Sequence, residues 1–194
     1  MRAQPNQRPS ASEAASLSEK QLLDRLKGKD KEGMRLFYER YAGYLTAVCS
    51  RYIPDRADVK DVLQDAFVKM FGAVDRFEFR GEGSLRAWAS RIVVNGALTS
   101  LRKKGRFSFV DELPDVTDDE PVQAEKVPPA VLQGFIQALP DGYRTVFNLF
   151  VFEKKSHREI ADMLGIKEDS SASQYFRARA QLAKQIKNYI KEHE

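Results

Sequence analysis

Residues 156–182 read SHREIADMLGIKEDSSASQYFRARAQL, and the punctuation of this stretch decides the C-terminal fold. Ser156 and Glu159 stand at capping-box spacing, in which the serine oxygen accepts from the third helical N–H and the glutamate reaches back to the cap. Ile160, Met163 and Leu164 continue as a short apolar pattern, and Gly165 is placed to end it in a left-handed turn. A longer polar helix then starts at Ser170 or just before it and extends to about Tyr189. Short helix, glycine turn, longer helix is the helix-turn-helix pattern. Helical pairs joined by glycine also occur in proteins that never touch DNA, so the pattern alone leaves both readings open.

If the unit binds DNA, the helix from Ser170 enters the major groove, which is wide enough to admit it. Leu164, Ile166, Tyr175, Ala178 and Leu182 then hold the two helices together. Ser171, Ala172, Ser173 and Gln174 are read as exposed positions facing base edges. Gln174 can offer a bidentate pair to adenine, and Ala172 can touch a thymine methyl. Arg177, Arg179 and Lys184 suit phosphate, which positions a helix without reading sequence. His157 and Arg158, in the first turn of the shorter helix, can meet phosphate beside free backbone N–H groups. The bland alternative is a solvated face at Ser171, Ser173 and Gln174. Phe176 sits off the apolar stripe, either covering a side of the core or contacting a partner.

Working back along the chain, Tyr143, Val146, Phe147, Phe150 and Val151 mark one helix, and Val131, Leu132, Phe135 and Ile136 another, closed by Leu139-Pro140. This second helical body covers residues 129–190. Before it, residues 107–128 form an acidic linker. Between Asp111 and Glu125 there are seven acidic residues and no Lys or Arg, with prolines at 114 and 121. Such a stretch is a flexible, self-repelling tether, with the alternative that it lies on basic surfaces of its own chain.

The first body is read over residues 17–106, after a polar, disordered tail of residues 1–16. A helix is expected from Ser16, capped with Glu19, with Leu17, Leu22, Leu23 and Leu26 as its stripe. A second runs from about Lys31 to Tyr52 before Pro54, through Phe37, Tyr41, Leu45 and Val48. The third puts Val59, Val62, Leu63, Ala66, Phe67 and Met70 on one face and Lys60, Asp61, Gln64, Asp65 and Lys69 on the other. Residues 72–83 read as a loop. A fourth helix begins near Ser84, with Leu85, Trp88, Ala89, Ile92, Leu98 and Leu101 packing, and ends in the basic run 102–106. The fold class is therefore all-α: two small helical domains joined by an acidic flexible linker, the C-terminal one containing a helix-turn-helix.

Composition narrows the function. The 194 residues carry a net charge of +4, which permits a polyanion partner without demanding one. Cys49 is the single cysteine, so no disulfide framework exists within the chain, and its helical setting beside Val48 reads as a small buried hydrophobe. His157, His193 and Cys49 are too scattered for a metal set, and no glycine-rich phosphate loop is present, so no cofactor and no enzyme activity are expected. Asp61 with Asp65 mimics an acid–base pair, but their open helix face argues for docking. No stretch approaches the roughly 18 apolar residues of a membrane span, and the N-terminal residues do not form a signal peptide. A cytoplasmic protein without direct membrane insertion is the expectation.

Three blocks carry a family resemblance. The first is Asp61-Val62-Leu63-Gln64-Asp65-Ala66-Phe67-Val68-Lys69, preceded by Arg51-Tyr52. The second is Phe79…Gly81…Ser84-Leu85-Arg86-Ala87-Trp88…Arg91-Ile92…Asn95…Leu101-Arg102. The third runs from Leu139-Pro140-Asp141-Gly142-Tyr143-Arg144 through the helix-turn-helix to Ser173-Gln174…Arg177-Ala178. In this order and spacing the chain resembles the extracytoplasmic-function group of sigma factors in the sigma-70 family, over roughly residues 20–190.

The resemblance implies a transcription initiation factor whose partners are core RNA polymerase and promoter DNA. Residues 17–106 would be the region 2-like domain and 129–190 the region 4-like domain. Asp61, Gln64, Asp65 and Lys69 fall on the helix that docks on polymerase, and carboxylates at i, i+4 project together as docking requires. The loop of residues 72–83 and the following helix inherit capture of flipped, single-stranded −10 bases, with Arg80, Arg91, Asn95, Arg102, Lys103 and Lys104 as candidates. The second domain inherits the −35 duplex through His157, Arg158, Ser171, Ala172, Ser173, Gln174, Arg177, Arg179 and Lys184. An anti-sigma factor is a possible partner, since the family is commonly controlled that way. Positions 169–172 read Asp-Ser-Ser-Ala where many relatives carry Gly-Thr and a final basic residue, so no preferred −35 sequence carries over. Gly96 and Thr99 also depart from the bulkier or acidic residues of many relatives. Two other classes compete: a stand-alone helix-turn-helix regulator that binds duplex without polymerase, and a polymerase-interaction adaptor that never opens a promoter.

Overall fold

The structure is a computed structural model that describes residues 17–105 and 123–193. The N-terminal tail, Ser16, Arg106 and most of the acidic linker lie outside the described residues. Among the described residues there are eight α-helices, two short 3-10 turns and no strand. By contacts the chain divides into two compact units: residues up to Cys49 with Arg56–Ala97, and Ser50–Asp55 with Leu98 onward.

The first unit opens with α1 (Glu19–Lys27). Its cap is Ser18 rather than Ser16: the Gln21 N–H donates to Ser18 Oγ at 3.1 Å, and the Ser18 N–H donates to Gln21 Oε1 at 2.9 Å. Glu19, expected as the box partner of Ser16, is thereby released for another task. Leu22, Leu23 and Leu26 are buried, as their stripe requires. α2 (Lys31–Ser50) buries Leu36, Phe37, Tyr41, Leu45, Val48 and Cys49, of which Phe37, Tyr41, Leu45 and Val48 fall three or four apart. α3 (Arg56–Ala73) starts just past Pro54 and buries Val59, Val62, Ala66, Phe67 and Met70.

The Phe37 ring meets Phe67 edge-on at 6.1 Å and Phe71 at 6.0 Å, locking α2 to α3. The fully buried Phe37 side chain contributes about 1.5–3 kcal/mol. A 3-10 turn (Val74–Arg76) and a loop lead into α4 (Ser84–Lys103). Trp88, expected in the core, is only half-buried: its indole meets the Phe77 ring at a tilt, 5.0 Å away. Cys49 is fully buried, and burial pushes its thiol up to about 12.

The second unit contains α5 (Pro129–Ala138), α6 (Asp141–Val151), α7 (His157–Leu164) and α8 (Glu168–His193). Prolines open the first two, where a missing N–H costs nothing. Helix α8 starts two residues before Ser170. Leu139, Ala178 and Leu182 form a buried centre, with Phe135, Ile136, Tyr143 and Phe147 packed against it. Val146, Leu149 and Ile160 are fully buried too. Arg144 is a buried cation held by the α5–α6 junction. It donates to the carbonyls of Gln137 at 2.9 Å and Leu139 at 2.6 Å, and pairs with Asp141. Those carbonyls end a helix, so the guanidinium satisfies acceptors that have no helical partner of their own.

Candidate functional site

Three exposed faces are built from these helices. In the second unit, the Ser156 capping box is complete: Glu159 N–H donates to Ser156 Oγ at 3.2 Å, and Ser156 N–H donates to Glu159 Oε2 at 2.9 Å. Lys155 adds a 2.6 Å ion pair. The Lys155 hydrogen bond, with the Ser156 N–H next, holds the Glu159 carboxyl down at about 2. Gly165 closes α7 at φ 70°, ψ 37°, with its N–H donating to the Ala161 carbonyl at 2.8 Å. The left-handed cap turns the chain sharply enough for α8 to pack back on α7.

Helix α8 does not face the way its polarity suggests. Ser171, Gln174, Ala178, Leu182 and Ile186 recur at i, i+3, i+7, i+11 and i+15, and all five are buried. Ser171 is fully buried, and its Oγ lies 3.0 Å from His157 Nδ1. Gln174 is 1% exposed, and its Oε1 has no hydrogen-bond partner among the described residues. Arg177 is 3% exposed. The expectation that Ser171 and Gln174 face base edges and that Arg177 meets phosphate is therefore corrected. Both of the first two share a side with Ala178 and Leu182, and Arg177 follows Gln174 on the next turn of that flank. His157 also turns inward, half-buried and stacked on Phe150 at 4.7 Å, with Tyr175 against the same ring at 4.4 Å.

The exposed side of α8 carries Ala172, Phe176 and Arg179, with Ser173 half-buried and Lys184 exposed further along. Arg158 is exposed on α7. Phe176 is 46% exposed, so its place is on this outer side and not in the core. The signal in the sequence was its four-residue spacing from Ala172.

On α3, Asp61, Gln64, Asp65 and Lys69 are all exposed while the apolar stripe is buried. Sequence reasoning passed over Val68, which is 68% exposed. It stands seven residues after Asp61, four after Gln64 and three after Asp65, an apolar knob amid that acidic row. Tyr38, 54% exposed, packs its ring on Phe67, the residue before Val68, at 4.9 Å. A charged face with an apolar centre suits a protein partner better than solvent alone.

The third face joins the loop before α4 to α4 itself. Arg80 is exposed, with Glu78 3.5 Å away in a solvent-screened pair. Arg91, Asn95, Arg102 and Lys103 are exposed along α4, and Lys104 is exposed in the turn just past it. The first three fall at i, i+4 and i+11, one side of the helix. The Arg86 guanidinium lies over the Tyr44 ring at 4.4 Å, extending the cationic surface toward the helix start.

Family models match both bodies in order: "Sigma-70 region 2" over residues 37–107 and "Sigma-70, region 4" over residues 130–182. The chain belongs to the sigma-70 family. Relatives at 27% identity include the RNA polymerase sigma-H factor of Pseudomonas aeruginosa, over 188 residues, 90% of this chain and 96% of that one. The ECF RNA polymerase sigma-E factor of Escherichia coli K12 is likewise 27% identical over 189 residues, 90% of this chain and 97% of the relative. A solved structure of CnrH in complex with the cytosolic domain of CnrY aligns at 24% identity with a TM-score of 0.46, covering 86% of this chain and 96% of that one. The protein is thus a sigma factor of the extracytoplasmic-function group, with a role in promoter recognition and with core RNA polymerase and promoter DNA as partners. Sigma factors of this family are non-enzymatic initiation factors. No helix among the described residues of this sigma factor is long and apolar enough to cross a membrane.

Proposed function

We propose that this sigma factor divides promoter recognition among the three faces, with residues 17–106 as its −10 domain and 129–190 as its −35 domain. Polymerase docks on α3 through Asp61, Gln64, Asp65 and Lys69 around Val68. The loop before α4 and Arg80, Arg91, Asn95, Arg102, Lys103 and Lys104 hold the unpaired −10 strand. Unpaired bases need pockets or stacking partners, and their backbone needs positive charge.

The outer side of α8 enters the −35 major groove. Ala172 and Phe176 offer apolar contact to thymine methyls there, Ser173 a hydrogen bond, and Arg158, Arg179 and Lys184 hold phosphates. The work is recruitment in the cytoplasm, not bond chemistry. Polymerase holds two weak readers at promoter spacing, so that binding of one raises the effective concentration of the other. Base flipping costs free energy that captured bases and polymerase contacts together offset.

The observation that carries this reading is the ordered pair of sigma-70 region matches, each falling on helices that expose a polar face. The test is run-off transcription with purified core polymerase and genomic fragments. Discrete new transcripts sharing two spaced upstream elements are expected. Asp61→Ala/Asp65→Ala should lower core affinity about 150-fold or more, since each of the two charged hydrogen bonds lost at an interface costs about 1.5–3 kcal/mol. Unchanged core affinity overturns the docking face.

A further inference from the structure

Helix α1 lies outside the residues that the region 2 family model covers, yet it bonds to both ends of the loop that precedes α4. The Glu19 carboxylate is 3% exposed and takes four donors from outside its own helix. Gly83 N–H donates to Oε2 at 2.8 Å and Leu85 N–H to the same oxygen at 3.0 Å. Tyr41 Oη–H donates to Oε1 at 2.7 Å and Arg86 N–H at 3.3 Å. In return, the Glu82 carboxylate accepts from the Glu19 backbone N–H at 3.1 Å. Two helices thus exchange caps: Glu19 caps α4, and Glu82 caps α1.

At the other end of α1, Lys27 Nζ donates to the Phe77 carbonyl at 2.9 Å. The Phe77 ring in turn rests on Trp88. Between these anchors the loop exposes Glu78, Arg80 and Glu82 and turns at Gly81 and Gly83, at φ 109° and 89°. Ser84 pins the tip of the loop: Arg80 N–H donates to its Oγ at 3.3 Å, and its own hydroxyl and N–H donate to the Gly81 carbonyl at 2.6 and 3.1 Å. The two ends of the loop are held from α1.

We propose that α1 is a splint for the −10 loop, with Glu19 and Lys27 as positioning residues that hold residues 77–83 in the conformation able to capture an unpaired base. This rests on the −10 reading given above. Neither residue need touch DNA: Glu19 is buried, and Lys27 spends its ammonium on the loop backbone. The gain is preorganisation, because a loop already in its binding shape loses less freedom on capture. If cutting an anchor leaves the loop competent one-tenth of the time, apparent affinity for the strand falls about tenfold.

The experiment uses holoenzyme assembled from core polymerase and this protein. The probes are a labelled single-stranded −10 oligonucleotide and a −35 duplex, both from the promoter that run-off transcription defines. Three affinities are read: core, −10 strand and −35 duplex. Glu19→Gln and Lys27→Met should each weaken the −10 strand about tenfold, while the other two affinities stay within about twofold. Lys27→Arg, which restores a donor to the Phe77 carbonyl, should recover strand affinity.

A purely structural role for α1 gives another pattern, in which all three affinities fall together or none does, and either result overturns the splint. Phe79→Ala and Arg80→Ala separate the two levels. If they weaken strand binding and the α1 variants do not, the splint is wrong and the −10 loop stands. If no loop or α1 variant changes strand binding, the loop's −10 role fails and the splint with it. Should Glu19→Gln not fold, the Lys27 pair decides alone, since its contact lies at the exposed rim.

Discussion

Replacing Gln174 by methionine separates two orientations of α8. In the structure the side chain is buried and its Oε1 has no partner among the described residues, which costs about 1–3 kcal/mol in a folded protein. Methionine has nearly the same volume and an unbranched, adaptable chain, so it can occupy the same slot. Allowing for interactions lost with the amide nitrogen, the net gain is about 1 kcal/mol, which raises a melting temperature by about 4–8 °C in a body of 60–100 residues. Were Gln174 instead paired with adenine, its loss would cost about 1–3 kcal/mol of binding, or about 5- to 150-fold in affinity. Melting by circular dichroism and −35 duplex titration of holoenzyme read the two quantities separately. A higher melting temperature with duplex affinity unchanged within about twofold is expected. A lower melting temperature, or a tenfold loss of duplex affinity, refutes the inward orientation.

Further expectations concern the turn, the cap and the thiol. Gly165→Ala should destabilise the second unit by about 1 kcal/mol through its left-handed backbone alone, because an added Cβ there meets nothing within 4 Å. Gly165→Asn should cost less in the same melting experiment, and equal losses would point to another cause. Glu159 has its carboxyl held down at about 2 from 4.5, so its contribution to stability is whole above pH 4.5 and fades as pH falls through 2. Glu159→Gln should therefore be less stable than the parent at pH 5, with the gap closing by pH 2 in chemical denaturation; a gap independent of pH refutes the assignment. Cys49, with its thiol pushed up to about 12, should resist a disulfide reagent at pH 8 until denaturant is added, and fast labelling of the native protein would contradict its burial.

The amino-acid sequence by itself determined the all-α class, the helix-turn-helix and the exposed polar row on α3. Those readings rest on local signals: the 59-62-66-70 stripe, the Ser156 box and Gly165 at the end of an apolar pattern. A helix's period and caps are properties of a few consecutive residues, so they survive without knowledge of the partner surface.

Tertiary structure alone decided which side of α8 packs inward. Ser171 and Gln174 are polar, and polarity suggested solvent, yet the folded helix buries them on the side of Ala178 and Leu182. Val68 shows the converse, an apolar residue left outside because it falls off its helix's buried stripe. Glu19 was beyond sequence reasoning for a different reason. Its ligands Gly83, Leu85 and Arg86 are 64 to 67 positions away, and only folding brings that carboxylate to the start of α4. Local periodicity tells a residue how its own helix turns; which partner waits on each side is a non-local fact, set by how the helices pack.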